Sequence, residues 1–446
     1  MKKRRFLAGF AATAIAASMM TVTAGATEAT EPTPSFTYTN DTTTNRSFSF
    51  NKYLVVDKNT TVPNVEFNFS IAPAGIQTAH LTDTKVELYN GLTGVTFTDS
   101  KGTFTTASTT TPGGTAASFT GNTGTATTIK ITDDTSKKYA TDAVTLDFSN
   151  VVFTEPGVYR YTVSETVPTT GGAYTALTAT QRTLDVYVQD DEGDSDKLKV
   201  MGYVLYDKVI TGAPTNVTTA DPGVGYNTSE VAESDATGKK SSGFVNSYET
   251  HNLTFGKEVT GNQGSKDKYF KYTVTISNAT VGDKYLVNVN GNVDNTLPGN
   301  ADASVIANPA TTVSGNNVNE ITVGTNGSVA TDFYLHDGQY ITICGLGKGV
   351  SYEVAEANED YTKTEKIVQN ISTLNWDGTE GYDALNDAVA GTIASADIHT
   401  GYTNTKEGTI PTGIILSVAA PAVVGLGVAG LIVTLNVKRR REEAED

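Results

Sequence analysis

The chain has 446 residues, with 32 basic against 49 acidic side chains and a formal net charge of −17. That length accommodates two or three domains, each able to bury a core. An acidic surface favours solubility and disfavours nucleic acid and anionic lipid as partners. Cys344 is the only cysteine, which excludes an intramolecular disulfide, so any covalent staple must be of another kind.

In chain order, Lys2, Lys3, Arg4 and Arg5 precede an apolar stretch from Phe6 to Met20 and then Ala24-Gly25-Ala26. A basic start, a short apolar run and a small-x-small site predict a secretory signal peptide over 1–26. The apolar run is short for a membrane span. Residues 27–44, rich in Thr, Glu, Pro and Asn, read as a flexible leader.

From residue 45 to about 406 the chain consists of short segments of period two, separated by Gly, Asn and Asp. Phe67-Asn68-Phe69-Ser70-Ile71, Tyr159-Arg160-Tyr161-Thr162-Val163 and Leu184-Asp185-Val186-Tyr187-Val188 are examples. Abundant Tyr, Phe, Val, Thr and Gly suits strands and turns rather than helices, so the predicted fold class is all-β. The Thr/Gly-rich stretch near 101–129 reads as a long loop or a decorated hairpin.

The segment also repeats. Phe50-x-Lys52, Phe67-x-Phe69-x-Ile71, Tyr161-x-Val163-x-Glu165 and Phe244-x-Asn246 form one copy. Phe255-x-Lys257, Phe270-x-Tyr272-x-Val274, Tyr352-x-Val354-x-Glu356 and Tyr402-x-Asn404 form the other. The spacing predicts two domains, 45–248 and 249–406, with little linker between them.

Each copy puts three polar side chains where the alternation calls for apolar ones. Lys52 shares its strand face with Phe48, Phe50 and Leu54, and Lys257 with Leu253, Phe255 and Val259. Glu165 and Glu356 follow Tyr161-x-Val163 and Tyr352-x-Val354, and Asn246 and Asn404 follow Phe244 and Tyr402. Burying these groups unpaired costs several kcal/mol each, so they should meet. Two readings are open. One is a buried Lys–Glu ion pair with an Asn hydrogen bond. The other is chemistry: a desolvated, neutral lysine attacks the Asn side-chain carbonyl while a protonated Glu polarises it and shuttles protons.

At the far end stands Thr409-Ile410-Pro411-Thr412-Gly413, then an apolar run from Ile414 to Val437, then Lys438, Arg439, Arg440 and Arg441. The run is long enough to span a bilayer and the basic tail (438–446) acts as a positive-inside stop. An ordinary membrane anchor explains the span and tail but not the Pro-Thr-Gly in front of them. The two ends carry eight of the 32 basic and four of the 49 acidic residues, so the segment between them has 24 against 45, or −21.

Motif, span and basic tail in this order resemble a sortase sorting signal (407–446), with Ile410, Pro411, Thr412 and Gly413 similar to the Val-Pro-Thr-Gly variant of streptococcal pilins. Together with the two repeats, the chain resembles the sortase-assembled backbone pilins of Gram-positive bacteria. The resemblance implies two tandem immunoglobulin-like (CnaB-type) sandwiches and intramolecular isopeptide bonds Lys52–Asn246, assisted by Glu165, and Lys257–Asn404, assisted by Glu356. It implies sortase, neighbouring pilin subunits and peptidoglycan as partners, cleavage and linkage at Thr412, and a cell-wall-anchored location with a transiently membrane-held precursor. The family's inter-subunit lysine stands seven positions before the first-domain Asn, which is Lys239 here. Lys240 is adjacent, and Lys208 in Tyr206-Asp207-Lys208 is a further candidate. The alternative from another functional class is a monomeric wall-anchored adhesin or minor pilin.

No enzyme of an external substrate and no cofactor is expected. His80, His251, His336 and His399 are scattered without ligand spacing, and no metalloprotease, nucleophile-elbow or P-loop motif occurs. The acidic run Asp190–Asp196 lacks the spacing of a calcium loop and reads as a hairpin turn. Cys344 reads as a core residue, and a lone Trp376 supports no sugar platform.

Overall fold

The computed structural model describes residues 37–76, 79–81, 86–120, 126–191, 194–210, 225–229, 238–289, 312–313, 318–365 and 388–409. The expected signal peptide, most of the leader, the sorting motif 410–413, the span 414–437, the tail, Trp376 and most of 211–238 lie outside them. Among the described residues no helix is long and apolar enough to cross a membrane.

Strand is the dominant regular structure of the described chain, as its period-two segments require, with turns and loops between them. Fourteen longer strands carry the architecture. In the first set these are β1 (Ser47–Asp57), β2 (Val65–Pro73), β3 (Lys137–Asp147), β4 (Gly157–Thr166), β5 (Gln181–Asp191), β6 (Asp194–Leu205) and β7 (Gly243–Tyr248). In the second they are β8 (Thr250–Thr260), β9 (Phe270–Ser277), β10 (Lys284–Val289), β11 (Val329–Leu335), β12 (Tyr340–Gly347), β13 (Ser351–Glu356) and β14 (Ile398–Thr405).

One sheet of the first set runs β6-β5-β4-β2, and its partner runs β7-β1-β3. Between them lies a core to which both contribute: Phe48, Phe50, Val144 and Phe244 from one side, Phe67, Tyr161, Leu184 and Val200 from the other. The second set repeats the plan, with β10-β12-β8-β14 facing β11-β9-β13 across Phe255, Ile343 and Tyr402 against Tyr272, Val354 and Phe333. These are sandwich-like pairs of sheets. Alternation is cleanest in β9, where every second residue from Phe270 is buried.

The Thr-rich insertion contains an antiparallel hairpin, Ala116–Thr120 with Ala126–Lys130. Its Ile129, with Ile131, packs on the outward side of β1 and β3 against Tyr53, Val55 and Tyr139. The acidic run joins β5 and β6, pairing Asp191 with Asp194, and Lys199 neutralises Asp191 at 2.9 Å.

Strand pairing passes from the first set to the second between Tyr248 and Thr250. There the loop after β1 meets the second set: the Asn64 amide donates to Asp283 Oδ1 (2.8 Å), Thr61 Oγ1 donates to the Lys284 carbonyl, and Thr250 Oγ1 donates to Asp57 Oδ2 (2.8 Å). Asp283 is buried, and burial pushes its carboxyl up to about 6.

Candidate functional site: a duplicated buried Lys–Glu–Asn cluster

In each sandwich the lysine and asparagine strands are neighbours in one sheet and the glutamate strand lies in the sheet facing them. β7 runs parallel to β1, with Phe244 opposite Lys52 and Asn246 opposite Leu54. β14 runs parallel to β8, with Tyr402 opposite Lys257 and Asn404 opposite Val259. The register is identical: each asparagine pairs with the residue two beyond its lysine, so Lys and Asn are diagonal neighbours on one face. Glu165 pairs with Phe69 and Glu356 with Tyr272, again equivalent positions.

All six side chains are buried. Lys52 Nζ lies 2.9 Å from Glu165 Oε1 and donates to the Tyr53 carbonyl at 3.1 Å. The approach to Glu165 is off the hydrogen-bonding direction, so the contact is an ion pair rather than an aligned bond. Neither Nδ2 nor Oδ1 of the Asn246 side chain has a hydrogen-bond partner among the described residues. In the second site Glu356 bridges the other two, accepting from Lys257 Nζ at 2.6 Å and from Asn404 Nδ2 at 2.7 Å, while Asn404 Oδ1 is unpartnered among the described residues.

Each lysine stands over an aromatic ring, Lys52 Nζ at 4.3 Å from the Phe67 centroid and Lys257 Nζ at 4.2 Å from that of Phe270. Three more aromatics enclose each site: Phe50, Phe69 and Phe244 in the first, with centroids 5.2–5.5 Å apart, and Phe255, Tyr272 and Tyr402 in the second. The Tyr272 and Tyr402 hydroxyls donate to the Gly256 and Val354 carbonyls, fixing the second enclosure. In the first, Gly102 covers the lysine stem so closely that a Cβ there would stand 2.5 Å from Lys52 Cγ.

This wall of hydrocarbon has an electrostatic consequence. Desolvation lowers both lysines from 10.5 to about 8, against the opposing pull of their glutamates. Roughly one amine in ten is then neutral at pH 7, where a solvated lysine has about one in three thousand. A nucleophile, an amide carbonyl and a carboxyl able to exchange protons with both are the components of an acyl transfer.

The acceptor candidates lie elsewhere, along the bridges joining the end of β6 to the approach to β7. Lys239 is exposed, and its backbone exchanges hydrogen bonds with Asp207, N–H to Oδ1 at 3.1 Å and C=O from N–H at 2.9 Å. Lys240 is half-buried, with Nζ 5.7 Å from the Tyr226 ring, and Lys208 is half-buried with its carbonyl accepting from the Thr183 amide. Cys344 is buried, its thiol pushed up to about 12 by burial. No cluster of three potential metal ligands occurs among the described residues.

The polarity pattern does not disclose three of these features. The lysine-bearing rings Phe67 and Phe270 occupy matching repeat positions, a signal that was available. Gly102 and the second cations described below come from strands that do not share a register.

The chain is similar to a streptococcal pilin. A curated protein named pilin, from Streptococcus pyogenes serotype M1, is 27% identical over 309 residues, covering 68% of this chain and 74% of the relative. A family profile described as a domain of unknown function (DUF7601) matches residues 251–406. Among solved structures, the major pilin from Streptococcus pyogenes matches at 19% identity and a TM-score of 0.45, covering 81% of this chain and 99% of that one. A second major pilin from the same species also matches at 19% identity and a TM-score of 0.45, covering 82% and 98%.

Proposed function

We propose that the chain is the backbone subunit of a sortase-assembled, covalently linked surface pilus, its two domains (45–248 and 249–406) of the immunoglobulin-like, CnaB type and each locked by an internal Lys–Asn isopeptide bond. The observation that carries this reading is the duplicated cluster, whose lysine, glutamate and asparagine recur at equivalent registers in both sandwiches. A mere ion pair needs no asparagine diagonal to the lysine.

The bond-forming step balances without any further reactant. The lone pair of neutral Lys Nζ attacks Asn Cγ, forming a C–N bond. The Cγ–Nδ2 bond then breaks, and the proton shed by Nζ passes through the Glu carboxyl to Nδ2, which leaves as ammonia. In the second site Nδ2 already rests on Glu356 Oε1, where that proton would be delivered.

The function of such a bond is mechanical. It ties the first long strand of each domain to its last, and these strands are parallel neighbours. Tension entering at one end and leaving at the other would shear their hydrogen bonds; a covalent tie carries it instead. Only 11 positions separate Asn246 from Lys257, so the loaded path bypasses both sandwich interiors. A sortase would cleave at Thr412, and the exposed Lys239 is the favoured acceptor over Lys240 and Lys208; the last subunit would join peptidoglycan.

Immunoblotting of wall-digested cells, boiled in detergent and reductant, tests the reading. A ladder of high-mass bands, abolished in Lys239→Ala, is expected. A single band at the monomer position would overturn it in favour of a solitary wall-anchored protein.

A further inference from the structure

Each cluster has a second cation that the repeat does not announce. Arg182, at the start of β5, is the largest fully buried side chain among the described residues, and its guanidinium lies 4.6 Å from the centroid of Phe244. Lys363, on the edge strand Thr362–Thr364 beside β14, places Nζ 5.1 Å from the centroid of Tyr402. Phe244 and Tyr402 are equivalent: each stands opposite the cluster lysine and two residues before the cluster asparagine.

The two cations reach this spot by different routes. Arg182 comes from the facing sheet, paired with Val163 on the glutamate strand. Lys363 comes from the same sheet, paired directly with Asn404. Inheritance of one ancestral residue through duplication would give one route, so the shared position calls for a shared reason. Packing alone does not supply it, since a guanidinium in a sandwich core is costly where an aliphatic side chain would fill the space.

We propose that Arg182 and Lys363 are positioning residues for bond formation, each holding a fixed positive charge over the aromatic ring beside the reactive lysine and thereby favouring its neutral, nucleophilic form. The inference rests on the bond-forming reading above. The cations contribute no atoms to the step. Their effect is like-charge repulsion in a medium that screens poorly, which favours release of the lysine's proton and so enlarges the neutral-amine fraction at a given pH.

The surroundings of both pairs agree. Lys52 faces Glu165, which favours its charged form, and Arg182, which opposes it. Lys257 faces Glu356 and Asp337, which favour the charged form, and Lys363, which opposes it. Arg182 donates to Ser241 Oγ and, at 3.5 Å, to the Ala179 carbonyl; Lys363 donates to the Glu356 carbonyl at 2.8 Å and to Asn358 Oδ1 at 3.2 Å. Lys363 therefore bonds to the backbone of the cluster glutamate, leaving both carboxyl oxygens to Lys257 and Asn404.

The test uses the secreted chain, recovered unreacted in denaturant and refolded by dilution at a series of pH values. Samples are quenched in acid, and each bond is quantified separately from its cross-linked peptide. The bond in the unaltered domain is the internal control. In the parent both rates should rise with pH and level off above about pH 8. Arg182→Gln should slow the first bond roughly threefold to tenfold near pH 6, with the difference vanishing above about pH 9, because each unit in the lysine pKa is about tenfold in neutral amine. Lys363→Gln should do the same to the second bond, and Arg182→Lys and Lys363→Arg should restore the parent profile. A uniform slowing at all pH values, or no change, in Lys363→Gln would overturn the inference. Lys363 is half-buried on an edge strand, so that variant decides the matter even where Arg182→Gln does not fold. Absence of ammonia loss in the parent chain would overturn the bond-forming reading itself, and this inference with it.

Discussion

Replacing Asn404 by Ala removes the electrophile of the second cluster while leaving the Lys257–Glu356 pair in place. The cross-link it prevents would enclose 147 residues, from 257 to 404. Restricting the unfolded chain over a loop of that length stabilises by about 5 kcal/mol. The Asn404 Nδ2 to Glu356 hydrogen bond of the unreacted cluster does not add to this, because Nδ2 leaves as ammonia when the bond forms. For a domain of this size each kcal/mol moves the midpoint by about 2–4 °C, so a fall of roughly 10–20 °C follows. Differential scanning calorimetry of the secreted chain reads this directly, with the first domain's transition as reference. A fall of less than about 8 °C would refute the reasoning, because an ion pair that never becomes covalent loses only the Asn404 to Glu356 hydrogen bond, about 1–2 kcal/mol.

Two further outcomes follow from the packing. Gly102→Val drives a branched side chain into the Lys52 stem, where even a Cβ would stand 2.5 Å from Cγ; mass analysis should find the first bond slowed or absent and the second intact, and equal yields of both would contradict the close approach. Asp283→Asn acts at the contact between the two sandwiches. Burial raises the Asp283 carboxyl to about 6, above its unfolded value, so its stabilising contribution is fully present at acid pH and lost as pH rises through about 6. An asparagine still accepts from the Asn64 amide and carries no charge, so its thermal midpoint should exceed the parent's near pH 7.5 and match it near pH 4; a shift of equal size at both would exclude the titration.

Side-chain alternation carries much of the architecture. Phe48, Phe50 and Leu54 face the core, and Lys52 follows them there because a strand cannot turn one side chain out of sequence. Glu165 and Asn246 are buried by the same constraint. Alternation says nothing about what covers the other face of a strand. Tyr53 and Val55 are also buried, under the hairpin of the Thr-rich insertion, whose low polarity contrast disguised its packing. Nor does it report contacts between distant strands of unlike register. Arg182 and Lys363 meet equivalent rings from unrelated positions, and Asp283 is buried where the loop after β1 docks on it. Such groups are set by three-dimensional closure, for which a local period carries no signal.

Resistance to tension and thermal stability both depend on whether the two buried clusters react. Intact-mass measurement of the folded secreted chain, followed by sequencing of its proteolytic peptides, tests this most directly. The expected mass is lower than that of the sequence by two ammonia equivalents, with Lys52 joined to Asn246 and Lys257 to Asn404, and only one equivalent is lost in Glu165→Ala or Glu356→Ala. A mass equal to that of the sequence, with all four residues recovered in linear peptides, would contradict it.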